Sequence, residues 1–159
     1  MRPTVILIPG INPKGAESIF DAIRERLKKT SYEVLRLANA NAEDLLSEAR
    51  EVESKILVGK SYGGRIAVDY QLEYKDAEAL VLLAPAVKAK ERHREIEIPV
   101  LIVHGTEDRV ISAENSRELK ECFKNGKLVE ISGADHGYKG KELETADIIA
   151  VWVDSLKKT

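Results

Sequence analysis

Short apolar runs rich in Val, Ile and Leu alternate along this chain with longer stretches whose apolar residues recur at helical spacing, and few folds accommodate that pattern. The runs are Thr4–Ile8, Glu33–Leu37, Lys55–Val58, Ala79–Leu83, Val100–His104 and Lys127–Ile131. Most are continuously apolar, as strands buried on both faces of a parallel sheet must be. The helical stretches between them supply the crossovers that parallel strands need. The expectation is an α/β chain: a three-layer α/β/α sandwich around a mostly parallel sheet of about six strands.

Each crossover has its own pattern. Ile19, Ile23 and Leu27, with Phe20 beside them, make one stripe of a first helix. Leu45, Leu46, Ala49 and Val52 do the same within Asn41–Glu53. Tyr62–Tyr74 starts with Gly63-Gly64 and continues Ile66-Ala67, small residues that permit close approach to the sheet, and should be the most buried helix. Ser112 is a suitable N-cap for a helix anchored by Leu119 and Phe123 and stopped by Gly126. Ile148, Ile149, Trp152, Val153 and Leu156 form a stripe in a last helix, roughly Lys141–Lys157. The Lys88–Glu95 segment is a mixed charge run, expected as solvated surface in a short helix or loop, with a gating or partner-binding role as the alternative.

At 159 residues and 43% hydrophobic content the chain suits one core and is hard to divide into two, so one domain over 1–159 is expected. A net charge of −2 excludes a general polyanion binder, and no nucleic-acid partner is expected. No apolar run approaches the roughly 20 residues that span a bilayer, and the start lacks the pattern of a cleaved leader, which points to no membrane partner and a cytoplasmic location. Cys122 is the only cysteine, which removes internal disulfides, cysteine zinc clusters and dithiol redox pairs.

Gly59-Lys60-Ser61-Tyr62-Gly63 lies where the Lys55–Val58 strand meets the Tyr62 helix. A sharp strand-to-helix turn there would present the Ser61 hydroxyl at the strand's C-terminal end, with glycines relieving collisions. The plainer alternative is a glycine-rich cap or packing turn. A serine nucleophile needs a base, and the base needs an orienting group. His136, in the glycine-flanked loop after the last strand, is the best base; His93 sits in the charged run, and His104 either bonds the turn after its strand or serves as base instead. Asp108, directly after the Val100–His104 strand, is the expected acid, with an Asx turn as its alternative role and Glu107 as nearest rival. Asp135 adjoins His136 too closely in sequence to orient its ring. Backbone N–H groups of Tyr62 and of Ile11, in the Pro9-Gly10-Ile11-Asn12 loop, are the expected oxyanion donors.

Gly59–Gly64, Val103–Asp108 and Gly133–Gly137 together resemble the nucleophile, acid and histidine segments of the α/β-hydrolase superfamily, in its Ser, acid, His order. The compactness is similar to that of small dienelactone-hydrolase-like proteins and of the superfamily's lidless branch. The resemblance covers nearly the whole chain and implies a minimal α/β-hydrolase fold without a large lid, leaving Ala86–Ile98 as the only cap candidate. It implies a serine carboxylesterase for small or accessible esters, with Ser61, His136 and Asp108 catalytic and no metal or organic cofactor. Thioesterase or acyltransferase activity, or a non-catalytic interaction domain, are the rivals. Pro9-Gly10 stands where the superfamily often has His-Gly, which leaves backbone donation intact. Lys60, Tyr62, Arg65 and Tyr138 surround the site in sequence, and a basic rim there would favour acidic acyl groups.

Overall fold

A computed structural model describes residues 3–38 and 42–156. Six strands, β1 (Thr4–Ile8), β2 (Val34–Arg36), β3 (Lys55–Lys60), β4 (Ala79–Leu83), β5 (Val100–Gly105) and β6 (Gly126–Ile131), form one sheet in the order β2-β1-β3-β4-β5-β6. Every adjacent pair is parallel. The α-helices among the described residues are α1 (Glu17–Leu27), α2 (Ala42–Glu51), α3 (Tyr62–Tyr74), α4 (Ala113–Lys120) and α5 (Glu142–Ser155).

The continuous apolar strands divide their side chains between two cores. Val5, Leu7, Ile56, Val58, Val81, Leu101 and Val103 face α1 and α5, whose Ile19, Ile23, Ile149 and Val153 complete that layer. Ile6, Ile8, Leu57, Leu80, Leu82 and Ile102 face the other layer, with Ala49 of α2, Ile66, Ala67 and Tyr70 of α3, and Leu119 of α4. This alternation within runs that look uniformly apolar yields the three layers. α3 runs against the sheet through Gly63, Gly64, Ile66, Ala67, Val68, Tyr70 and Gln71, more buried positions than any other helix shows among the described residues. Among the described residues no helix is long and apolar enough to cross a membrane.

Some expectations shift. The side chains of Leu45 and Leu46, and Asn41 and Lys157 at the expected helix ends, lie outside the described residues. α4 ends at Lys120, and Gly126 opens β6 instead of stopping the helix; Phe123 still reaches the core from the intervening turn. The buried face of α5 is Thr145, Ala146, Ile149, Ala150 and Val153, while Ile148, Trp152 and Leu156 pack only in part. Ile149 and Val153 of the expected stripe are thus buried, and the small Ala146 and Ala150 beside them let α1 lie directly against α5. In the charged connection, a 3₁₀ turn at Glu91–Glu95 buries His93, whose Nδ1 accepts from Lys90 N at 3.1 Å and whose ring tilts against Phe123. That segment is anchored and is solvated on its charged side chains alone.

Strand order turns back between β1 and β3: the chain leaves β1 for β2 on one side and returns to β3 on the other. The carboxyl ends of strands at such a point open a crevice, the usual place for ligands in open α/β sheets. The loop after β1 and the turn after β3 both lie there.

Candidate active site

Ser61 joins β3 to α3 with φ 55° and ψ −117°, a backbone conformation costly for any residue with a Cβ. Three backbone bonds hold it there. Ser61 N donates to Leu83 O at 2.8 Å, and Ser61 O accepts from Gly64 N and Ala86 N, each at 3.0 Å. The turn also depends on missing side chains: a Cβ on Gly59 would lie 2.2 Å from Gly63 O, and one on Gly63 would lie 2.1 Å from Ile8 O. The second gap lets the start of α3 press against the end of β1, bringing Gly10 beside Ser61 and Tyr62 N. As the first residue of α3, Tyr62 has an N–H with no intrahelical acceptor. Ile11 follows Gly10 on the rim, with its side chain 78% exposed.

His136 lies in the loop after β6, its ring nitrogens bridging two other loops. Nε2 is 3.2 Å from Ser61 Oγ, and Nδ1 is 2.8 Å from Asp108 Oδ2. A carboxylate only accepts, so Nδ1 carries the hydrogen and Nε2 is free to accept from the serine hydroxyl. The loop is stitched to its neighbour: Glu107 N donates to Ala134 O, Gly133 N to Thr106 Oγ1, and the buried Tyr138 hydroxyl to Val103 O at 2.6 Å. Asp135 Oδ1 accepts from Gly137 N and Lys139 N, so this residue shapes the loop and does not orient the ring beside it.

Asp108 is placed for both roles weighed for it. Its Oδ1 accepts from Val110 N and Ile111 N at 2.9 Å each, an Asx-type turn, while Oδ2 faces His136. Burial alone would raise its carboxyl pKa. Donation from His104, His136, Ile111 and Val110 outweighs burial and holds the group well below the ordinary carboxylate range. Glu107, the rival acid, is exposed.

His104 is fully buried and bonds the turn after its strand, with Nε2 2.8 Å from Ile111 O. It does not reach Ser61 as an alternative base; it lies instead beside Asp108, Nε2 3.1 Å from Oδ2. Nothing in the sequence pairs His104 with Asp108, although the i, i+4 spacing across a turn is a signal that could have found the contact.

The expected basic rim is thinner than the sequence order suggests. Lys60 is buried, which lowers its ammonium pKa, while Asp108 and Asp135 act in the opposite sense. Tyr138 is wholly buried, and burial raises its hydroxyl pKa. Both side chains belong to the support beneath the site, because the strand and loop backbones turn them inward. Arg65 remains exposed and lies 3.8 Å from Asp69. Among the described residues no group of three or more His, Cys, Asp or Glu side chains is arranged to hold a metal ion.

Comparison with known proteins bears on the family and the fold. A family model described as Alpha/beta hydrolase family matches residues 24–144. A bifunctional esterase/perhydrolase from Acinetobacter calcoaceticus is 45% identical over 56 residues, 35% of this chain and 20% of that protein. The matched stretch is thus a fifth of the relative's length. Among solved structures, Est1E from Butyrivibrio proteoclasticus superposes with a TM-score of 0.83 at 20% identity, covering 99% of this chain and 89% of that one. The esterase domain of a Rhodothermus marinus protein gives 0.79 at 17% identity, over 94% and 85% of the two chains. At such identities these two structures speak to the fold.

Proposed function

The chain belongs to the alpha/beta hydrolase family, and from that premise we propose that it is a serine carboxylesterase acting on small or accessible esters. The reading is carried by the hydrogen-bonded series from Ser61 Oγ through the His136 ring to Asp108 Oδ2. Each member follows a different parallel strand, β3, β6 and β5, at the end of the sheet where the crevice opens.

In this mechanism Ser61 Oγ attacks the ester carbonyl while its proton passes to His136 Nε2. The new oxyanion takes hydrogen bonds from Tyr62 N–H and Ile11 N–H, where each donor is worth ~2.7–4 kcal/mol of barrier. Asp108 holds the ring and balances the positive charge it acquires. The C–O bond to the alcohol breaks as His136 returns the proton to the leaving oxygen, and the acyl group stays on Ser61. Water then attacks the acyl-enzyme, giving one proton to Nε2; that proton returns to Ser61 Oγ as the carboxylic acid departs. No residue of this scheme needs a metal or organic cofactor.

The similarity to an esterase/perhydrolase supports ester chemistry and identifies the acceptor of the acyl group as the variable to test. Ser61→Ala should lower turnover of an activated short-chain aryl ester by ~10⁴–10⁶-fold and abolish labelling by a fluorophosphonate. Full hydrolysis in that variant sinks the proposal. A panel of esters and thioesters, run with water, alcohol and amine acceptors, separates hydrolysis from acyl transfer.

A further inference from the structure

The reading of Ser61, His136 and Asp108 as the catalytic groups leaves the fully buried His104 side chain beside the acid unused, and the inference that follows rests on that reading. We propose that His104 is a positioning residue whose Nε2–H, bonded to Ile111 O at 2.8 Å, is held beside Asp108 Oδ2 at 3.1 Å, where its positive edge fixes the acid and tempers its hold on the proton of His136.

The protonation pattern around the ring follows from its partners. Nε2 faces Ile111 O at 2.8 Å and Asp108 Oδ2 at 3.1 Å. Both accept only, so Nε2 carries the hydrogen. Nδ1 lies 2.6 Å from Ser116 Oγ, itself fully buried, and takes the hydroxyl hydrogen. The ring is thus held at both nitrogens, and the side chains of His104 and Asp108 are inaccessible to solvent.

A carboxylate offers about four acceptor sites. Val110 N and Ile111 N occupy Oδ1, and His104 and His136 share Oδ2. Three of these donors belong to the framework and one to the base. Ile111 O and Ser116 would by themselves satisfy a histidine whose task was only to tie β5 to α4. Holding the same N–H within 3.1 Å of the oxygen that orients the base goes further: its partial positive charge draws electron density on Oδ2 and so weakens that oxygen's stabilisation of the charged imidazolium. Removing the donor should make His136 easier to protonate, which moves the acid limb of activity to higher pH.

The charged and titratable groups around this pair come from several elements. Glu130 stands opposite His104 in register on β6, tied to Arg117 of α4. Lys60 of β3 and Tyr138 of the histidine loop act on Asp108 through space. α4 adds Ser116, and β4 presents Leu82 and Leu83 beside β5.

Three variants of the full chain test this: His104→Leu, which has no donor; His104→Gln, whose amide reaches about as far as Nε2; and His104→Asn, a polar residue too short to reach Asp108. For each, kcat, KM and the pH profile of kcat/KM are measured on an activated aryl ester, with thermal melts alongside. Leu and Asn should lower kcat by ~10–100-fold at unchanged KM and move the acid limb upward, while Gln restores both to near wild type. If Leu does not fold, Asn against Gln gives the same contrast. Folded variants with a wild-type limb, or Gln as impaired as Asn, overturn the positioning role while Ser61-dependent activity stands. Activity that survives Ser61→Ala overturns this role and the proposed mechanism together.

Discussion

Gly63→Ala isolates how closely the elbow must approach β1. Its Cβ would stand 2.1 Å from Ile8 O and 2.6 Å from Pro9 O, both backbone atoms, against a practical minimum of 3.0 Å. The first turn of α3 and the loop after β1 must therefore separate by ~1 Å. Those are the segments carrying Tyr62 N–H and Ile11 N–H. A hydrogen bond drawn from ~2.9 Å toward ~3.9 Å is lost, and loss of one oxyanion donor removes ~2.7–4 kcal/mol, a fall in kcat of ~10²–10³-fold. Overpacking adds a stability cost of ~1–3 kcal/mol, at about 2–4 °C in Tm per kcal/mol for a chain of this size. Gly126→Ala is the control. Its Cβ would meet Phe123 at 2.9 Å at the opposite end of the sheet, so it should lower Tm and leave kcat/KM on an aryl acetate unchanged. A Gly63→Ala enzyme with wild-type kcat would refute the reasoning, as would equal losses of activity in the two variants.

Asp108→Asn should reduce kcat by ~10⁴-fold through loss of the correct ring tautomer, with KM little changed. The Asp108 carboxyl titrates lower in the folded chain than in the unfolded one, near 3.9. Its stabilisation is therefore complete above about pH 5 and disappears as pH falls through the unfolded value toward the lower native one. The gap in urea-unfolding free energy between wild type and Asp108→Asn should narrow between about pH 5 and pH 3; a constant gap contradicts the assignment. At the far end of β3, the buried Lys55 ammonium bonds the Tyr70 hydroxyl at 2.8 Å and Asp76 at 3.1 Å. Asp76→Ala leaves that charge with a neutral partner and should cost ~1–3 kcal/mol in denaturant titration without altering kcat. An unchanged unfolding midpoint would show the pair to be energetically idle.

The layers were legible because continuous Val/Ile/Leu runs separated by helical stripes admit little besides a parallel sheet, and β1 and β4 begin and end where the pattern does. The elbow was legible because the turn demands glycine at specific places, and Gly59 and Gly63 occupy them. What escaped depended on neighbours distant in sequence. The face of α5 could be read only in part from its own stripe: Ile149 and Val153 are buried there, but α1 selects Ala146 and Ala150 over Trp152. His93 looked solvated among Arg92 and Arg94, yet Phe123 gives its ring somewhere to go. Lys60 and Tyr138 lie beside the catalytic candidates in sequence and beneath them in space, because each backbone turns its side chain inward. His104 hid for a related reason: its contact with Asp108 exists only once the Asx turn has folded the carboxylate back over the strand end.

Among the described residues β6 pairs with β5 alone, so of the three strands that lead into Ser61, Asp108 and His136 the one before His136 has a free side. Edge strands are natural places for partial opening, and hydrogen exchange is the observable that resolves such sub-global events. The bonds from Thr106 N to Ile131 O, Glu107 N to Ala134 O and Gly133 N to Thr106 Oγ1, with the Tyr138 anchor on Val103 O, all lie at the C-terminal end of that strand. They bias fraying toward Gly126, away from the base. Exchange should thus run along β6 as a gradient, fastest at its beginning and slowest beside the histidine loop, so that the sheet breathes without dismantling the site it carries.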